Sequence, residues 1–113
     1  MTFTFDGRLF RICFTHVHPT GRVLTGPTQP CKAVTTCYIE EKPNHSSAWS
    51  VVNRLEGWAW CSLQDVYSKD KGRKLSLQRA LEYCGVLTDG IPTWNWRKAF
   101  RTVAWTAYLG RKS

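Results

Sequence analysis

Apolar and polar residues alternate along the first part of the chain, which is the pattern of a β-strand that buries one face. Two phenylalanines alternate with two threonines up to Asp6-Gly7, and the alternation then resumes as far as Val17. Asp-Gly between two such runs predicts a type I′ hairpin, because both central residues of that turn need a positive φ. The register of this hairpin sets Phe3 opposite Phe10. The predicted core face carries Phe3, Phe10, Ile12 and Phe14.

The next stretch predicts a loop and then more strands. Residues 19–32 hold three prolines and two glycines, which predicts a long exposed loop. Residues 33–41 alternate again, but both sides of this strand mix polar and apolar residues, so the pattern leaves its buried side open. Segments 48–53 and 57–63 predict a further hairpin that turns at 54–56. In its second strand, Ala59 and Cys61 are predicted to face inward, and Trp58 and Trp60 to face outward or into a second cluster.

Helical spacing replaces alternation after residue 68. Ser68 is a favoured N-cap, and a helix is predicted to run from there to Cys84, with Gly85 ending it. Gly72 lies in its first turns, where glycine is unfavourable, and predicts close backbone packing or a later helix start. The core stripe at i, i+3, i+4 and i+7 consists of Leu77, Ala80, Leu81 and Cys84.

A second helix is predicted from Trp94 to Leu109, capped by Thr93 and stopped by Gly110. Its predicted inward stripe consists of Trp96, Phe100, Val103 and Ala107.

These elements predict an α+β fold, in which an antiparallel sheet of four to five strands is followed by two C-terminal helices packed on one face. A chain of 113 residues predicts a single domain. Within it, residues 1–63 form a β-rich sheet region and residues 64–113 form a basic two-helix region.

The charge of the chain is positive and unevenly distributed. Sixteen lysines and arginines oppose eight acidic residues, which gives a net charge of +8. Residues 1–68 hold six basic and five acidic side chains, a net of +1, whereas residues 69–113 hold ten and three, a net of +7. A field of this kind favours nucleic acid, an anionic membrane or an acidic protein as a partner. The alternative is that the charge serves only solubility.

The cysteines and the N-terminus bear on the compartment. The chain holds five cysteines, an odd number, and no C-x-x-C pair. It begins directly with strand-like alternation rather than a signal peptide. No apolar run reaches the roughly 20 residues of a membrane span. We expect free thiols, no membrane partner and a location in the cytoplasm.

The outer side of the second predicted helix interleaves rings with cations. Single-stranded nucleic acid stacks on such rings and pairs its phosphates with such cations. Protein interfaces use Trp, Tyr and Arg as anchors, and a purely structural role would have the rings cover the sheet edge. The pattern leaves these three roles open. The candidate residues for partner or nucleic-acid binding are Trp94, Arg97, Lys98, Arg101, Trp105 and Tyr108, extended by Lys71, Lys74, Trp58 and Trp60.

Residues that carry chemistry elsewhere show no standard arrangement here. The spacing of His16, His18, Cys31 and Cys37 matches no structural zinc site, so we expect no metal and no cofactor. Arg73 is predicted to form a structural ion pair with Asp65 rather than a ligand clamp. No nucleotide-binding, zinc-protease or serine-hydrolase motif occurs, so we expect no enzyme activity.

One stretch resembles small proteins encoded by bacteriophages and prophages. It runs Cys61-Ser62-x-x-Asp65-x-Tyr67-Ser68-x-x-x-Gly72-Arg73-x-x-x-Leu77-x-Arg79-Ala80-Leu81, and a closing R-x-x-x-W-x-x-Y follows at Arg101, Trp105 and Tyr108. The resemblance covers roughly residues 33–112 and leaves out the first hairpin and the loop. It implies a protein that binds host or defence machinery, including CRISPR–Cas complexes, rather than one that catalyses a reaction.

The leading functional hypothesis is a phage-encoded, non-enzymatic binding protein directed at a host or defence protein or nucleoprotein complex. The alternative is direct binding of RNA or DNA through the basic and aromatic C-terminal helices. A third hypothesis is a small metal-dependent enzyme at the end of the strand that carries His16 and His18.

Overall fold

The fold is taken from a computed structural model, which describes residues 1–17, 24–25, 30–43, 47–62, 68–87 and 94–110. The strands are β1 (Thr2–Phe5), β2 (Arg8–Val17), β3 (Leu24–Thr25), β4 (Pro30–Lys42) and β5 (Ser50–Ser62). The helices are α1 (Lys69–Leu81) and α2 (Trp94–Gly110), with a 3₁₀ turn at Cys84–Leu87 between them.

All described strand pairs are antiparallel, and the main sheet has the order β1-β2-β4-β5. The two-residue β3 pairs with the first residues of β4. α1 packs on β4 and β5, and α2 packs on β1, both on the same sheet face. The predicted α+β architecture is confirmed. Neither described helix has the length and hydropathy needed to cross a bilayer.

The first hairpin forms as its sequence predicts. Asp6 has a φ of 54° and Gly7 a φ of 71°, the conformation that an Asp-Gly turn is suited to adopt. Phe3 lies opposite Phe10, and both rings are buried at a centroid distance of 5.3 Å. The sheet face that carries them is the core face.

The structure settles which side of β4 is buried. The odd-numbered side chains, Ala33, Thr35, Cys37, Ile39 and Glu41, face the helices and are all buried. The alternation was ambiguous because this buried side includes a threonine and a glutamate.

Glu41 is stabilised on the buried side of β4 by hydrogen bonds to its carboxylate. Arg8 donates from Nε at 2.7 Å and from Nη2 at 2.6 Å, and Asn53 donates from Nδ2 at 2.9 Å. The hydrogen bonds from Arg8 lower the pKa of Glu41, although burial opposes them. The carboxylate is therefore held in its charged form.

The hairpin predicted at residues 54–56 is wrong. Residues 50–62 form the single strand β5, in which Leu55 lies opposite Ile39 and Glu56 opposite Tyr38. Leu55 is buried in the core, and the segment 54–56 contains no glycine, proline or asparagine that would favour a turn. The irregular part of β5 lies before Arg54. Glu40 on β4 pairs with Arg54 and Glu41 pairs with Ser50, so the register of the two strands shifts between them.

The predicted loop at 19–32 is partly wrong. Leu24 and Thr25 pair with Cys31 and Pro30, so β4 begins three residues before the predicted strand. Proline is tolerated as the first residue of a strand, because its missing N–H is not needed there. The remainder of the predicted loop lies outside the described residues.

α1 begins where the sequence predicts and ends three residues earlier than predicted. Ser68 caps the helix by accepting a hydrogen bond at Oγ from the backbone N–H of Lys71, at 3.3 Å. The helix stops at Leu81 rather than Cys84, which lies instead in the 3₁₀ turn. The predicted stripe is nevertheless fully buried, because that turn keeps Cys84 over the core.

Glycines allow α1 to lie close to the sheet. A Cβ at Gly72 would overlap Oγ1 of Thr35 on β4, and a Cβ at Gly57 on β5 would overlap the carbonyl oxygen of Ser76. The close packing predicted at Gly72 is confirmed.

α2 buries a different stripe from the predicted one. Its fully buried residues are Phe100, Ala104 and Tyr108, while Trp96, Val103 and Ala107 are only partly buried against the core. Phe100 sets this orientation because its ring packs edge-on against Phe10, at 5.1 Å between centroids. Thr93 and residues 111–113 lie outside the described residues.

Candidate functional site

The ten candidate binding residues do not form one surface. Eight lie on α1 and α2, whereas Trp58 and Trp60 lie on β5. Ala59 between them faces α1 and is buried, so both tryptophans project from the opposite face of the sheet. Their predicted outward orientation is confirmed, but the sheet separates them from the helical candidates.

Two of the helical candidates belong to the core rather than to an outer surface. The ring of Tyr108 is buried and packs edge-on against Phe14 at 5.7 Å and against Trp105 at 5.9 Å. Trp105 is itself partly buried and packed on the core. The outward assignment was wrong for Tyr108, because α2 is rotated about its axis relative to the predicted stripe.

The remaining helical candidates form a basic layer. Trp94 is 67% exposed, Lys98 is exposed, and Arg97 and Arg101 are half-buried. Lys71 is exposed, and Nζ of Lys74 lies 3.1 Å from Oδ2 of Asp70. Eight cations oppose two carboxylates in the described residues 68–87 and 94–110, a net charge of +6.

The sheet face opposite the helices has nearly balanced charge at one end. Arg11 donates to Glu40 at 2.8 Å, and Arg54 donates to Glu56 at 2.7 Å. The guanidinium of Arg54 also lies 4.9 Å from the ring centroid of Tyr38. Arg11 and Arg54 at this end are therefore already paired with carboxylates.

The other end of this sheet face is aromatic and apolar. The rings of Trp58 and Trp60 lie 6.3 Å apart between centroids, tilted by 40°. Trp58 is 42% exposed, and Val17 on β2 is 46% exposed. No described helix covers these side chains.

The direction in which the backbone N–H and C=O groups of β5 point can be deduced from the strand pairings, starting at β1. Ile12 donates to the carbonyl of Met1 at 2.9 Å, so the backbone groups of even-numbered β2 residues point toward β1. Odd-numbered β2 residues therefore direct their backbone hydrogen bonds to even-numbered residues of β4. Odd-numbered β4 residues, in turn, direct theirs to odd-numbered residues of β5. It follows that the N–H and C=O groups of Glu56, Trp58 and Trp60 point away from the sheet.

Arg79 on α1 reaches this outer edge. Its Nη1 donates a 2.6 Å hydrogen bond to the carbonyl oxygen of Trp58. Leu75 precedes Arg79 by four residues, so both lie on the same side of α1, and Tyr83 lies in the turn that directly follows the helix. Leu75 is 37% exposed and Tyr83 is 58% exposed.

Three of the six exposed large apolar side chains in the described chain therefore belong to β5, to α1 and to the turn after α1, on the two elements that Arg79 connects. We call Trp58, Trp60, Leu75, Arg79 and Tyr83, together with the outward backbone groups of β5, the β5 edge site. The sequence identified only the two tryptophans. The i ± 4 spacing about Arg79 was visible, but its meaning depends on α1 lying on β5.

In the described part of the chain, which includes His16, no group of three or more His, Cys, Asp or Glu side chains could hold a metal ion. Nδ1 of His16 lies 2.9 Å from Oγ1 of Thr35, and Cys37 is fully buried. Burial, with a smaller effect of Cys13, raises the pKa of the Cys37 thiol far above its ordinary value. His18, the side chain of Cys31 and the Arg73 partner Asp65 lie outside the described residues.

The chemistry that the β5 edge site offers is binding. It presents main-chain donors and acceptors, aromatic rings and one guanidinium. Trp, Tyr and Arg are the residues on which protein interfaces most depend. No protein-family model, curated protein or solved structure matches this chain.

Proposed function

We propose that this protein is a non-enzymatic binding protein that engages a protein of the host or of its anti-phage defence machinery. The β5 edge site is the observation that carries this proposal. Exposed apolar side chains gathered in one place, next to main-chain hydrogen-bonding groups, are typical of a surface that a protein partner covers.

The charge next to the site also favours a protein partner. The described side chains on this face of β2, β4 and β5 include Arg11, Lys42 and Arg54 against Glu40 and Glu56. Both carboxylates are paired with arginines. A nearly neutral, aromatic face suits the core of a protein interface, where charged residues are depleted.

The phage-like motif supports the choice of host or defence machinery, such as a CRISPR–Cas complex, as the source of the partner. In the structure, most of its described residues have structural roles, since Leu77, Ala80 and Leu81 are core residues and Gly72 contacts Thr35. Arg79 is the motif residue that lies at the β5 edge. The motif therefore combines the scaffold of α1 with one residue of the proposed site.

The proposal is tested by affinity capture from host lysate, with mass spectrometry and nucleic-acid analysis of the bound material. Trp58→Ala should lose the captured protein, and Trp94→Ala should retain it. Trp94 is the matched control because it is an exposed tryptophan on α2, away from β5. Equal capture by both variants, or no enriched protein, would contradict the proposal.

A second candidate function is direct binding of RNA or DNA through the basic layer. The net charge of +6 on the described part of the helical half favours it, with Lys98 and Arg101 next to the exposed Trp94. Affinity for random single- and double-stranded oligonucleotides should then fall steeply with salt, and Lys98→Ala with Arg101→Ala should reduce that slope. Lack of binding at low salt would remove this candidate.

A further inference from the structure

We propose that the β5 edge site takes an extended segment of the partner as an added antiparallel or parallel strand, and that this segment presents a carboxylate to Arg79. The inference rests on the proposed function and specifies how the partner is held. It identifies the partner by chemistry, as an extended peptide segment with apolar side chains on both of its faces and an acidic residue among them.

The backbone of β5 provides the first part of the argument. Glu56, Trp58 and Trp60 direct their N–H and C=O groups outward, at every second residue of a regular part of the strand. This repeat is about 6.8 Å, and it matches that of any partner in extended conformation. Among the described residues, β4 is the only strand that pairs with β5.

The side chains around the edge provide the second part. An added strand would place alternate side chains above and below the plane of the sheet. On one side they would face α1, where Arg79 reaches the edge and Leu75 lies exposed one helical turn away, and on the other side Trp58 and Trp60. Both sets of partner side chains would therefore be buried against apolar surface, which favours apolar residues at successive positions.

Arg79 determines the remaining requirement. In the free protein, its guanidinium donates a hydrogen bond to the carbonyl oxygen of Trp58. An added strand needs that oxygen as an acceptor. A charged side chain at an edge is a common protection against unwanted strand pairing. A partner carboxylate would draw the guanidinium into a charge-assisted pair and release the carbonyl. Arg79 would thus admit acidic extended segments and disfavour others.

Single-stranded nucleic acid fits this edge less well. It has no peptide groups to continue the ladder of β5. The neighbouring cations Arg11 and Arg54 are already paired with Glu40 and Glu56, whose carboxylates would repel phosphates. The aromatic rings alone would suit either a peptide or a nucleic acid. The rings together with the outward backbone groups favour the peptide.

The test is a selection of random dodecapeptides displayed on yeast against the full chain, followed by affinity measurements on the enriched peptides. Glu56→Pro removes one outward N–H, and proline is tolerated where the N–H of an edge strand faces away from the sheet. Glu56→Ala is the matched control, since it removes the same carboxylate but keeps that N–H. Circular dichroism establishes that both variants are folded.

We expect enriched peptides with successive apolar residues and at least one acidic residue. Glu56→Pro should weaken them by about tenfold or more, and Glu56→Ala by less than about threefold. Arg79→Gln should remove the preference for the acidic residue. Hydrogen exchange of the wild-type chain should slow at the amides of Glu56, Trp58 and Trp60 when peptide binds, which remains decisive if Glu56→Pro does not fold.

Four outcomes would overturn the inference. They are a selection without enrichment, peptides that bind both Glu56 variants equally, protection of amides on α2 instead of β5, and tight binding of a deoxythymidine oligonucleotide that Trp58→Ala abolishes. The experiments distinguish a failure of this inference from a failure of the proposed function. If a host protein is captured as well by Glu56→Pro as by the wild type, the partner exists but is not held by strand addition.

Discussion

The backbone of Gly57 on β5 lies directly against the backbone of Ala80 on α1, with no room between them for a side chain. A Cβ at Gly57 would overlap both the Ala80 nitrogen and the carbonyl oxygen of Ser76. The obstacle on both sides is main chain, which cannot rotate away as a flexible side chain can. This contact fixes the distance between α1 and the sheet.

We therefore expect Gly57→Ala to destabilise the protein by about 1–3 kcal/mol or more, because α1 must move off β5 to accept the methyl group. Chemical denaturation followed by circular dichroism measures the loss. Gly110→Ala is the control, since a Cβ there meets no atom within 4 Å. Equal stability of Gly57→Ala and the wild type would show that α1 is not held this closely.

The carboxylate of Glu41 should make stability depend on pH. Arg8 lowers the pKa of Glu41 in the folded protein, so its contribution is present above the ordinary glutamate pKa of about 4.3 and is lost as pH falls through the lowered value. Glu41→Gln should cost about 2 kcal/mol at neutral pH, and this difference from the wild type should shrink below about pH 4.

The measurement is a series of urea denaturations of both proteins across that pH range. Glu82→Gln is the control, because Glu82 is exposed at the end of α1 and its substitution should change stability by less than about 0.5 kcal/mol at every pH. A difference for Glu41→Gln that stays constant with pH would contradict the stabilising role of its charge.

Tyr108 and Trp94 should respond to substitution in opposite ways. Tyr108→Ala empties a buried site next to Phe14 and Trp105, so we expect a loss of about 3–5 kcal/mol. Trp94→Ala removes a side chain that is 67% exposed and should change stability by less than about 0.5 kcal/mol. Thermal denaturation compares the two. A stable Tyr108→Ala variant would return Tyr108 to the list of surface candidates.

The free thiols should differ in reactivity. Cys13 and Cys61 are half-buried, whereas Cys37 and Cys84 are buried. Burial also raises the pKa of Cys37, which lowers the fraction of reactive thiolate. With iodoacetamide near neutral pH, peptide mass mapping should find Cys13 and Cys61 modified first. Cys37 should be modified only as fast as the protein unfolds, and labelling of Cys37 as fast as Cys61 would contradict its burial.

Features that depend on neighbours in sequence could be predicted from the chain. The hairpin at Asp6-Gly7 rests on turn chemistry, and the α1 stripe rests on spacing between Leu77 and Cys84. Both signals act within a few residues. The helix start at Ser68 is of the same kind.

Features that depend on distant residues could not be predicted. Leu55 continues β5 through a supposed turn because it packs with Ile39, sixteen positions away along the chain. α2 offers several apolar stripes, and the rings of Phe3, Phe5 and Phe10 on the distant first hairpin select the one centred on Phe100. The β5 edge site arises in the same way, since Arg79 meets Trp58 only when α1 lies on β5.

The uneven charge has a consequence for orientation. The basic layer lies on one side of the sheet, and the nearly neutral face with Trp58 and Trp60 lies on the other. In the part of the chain that the structure describes, this separation amounts to an electric dipole directed across the sheet. Near a nucleoprotein, the dipole would turn the helices toward the phosphates before any contact forms. The aromatic face would then point away from the nucleic acid and stay accessible to a protein approaching from the opposite direction.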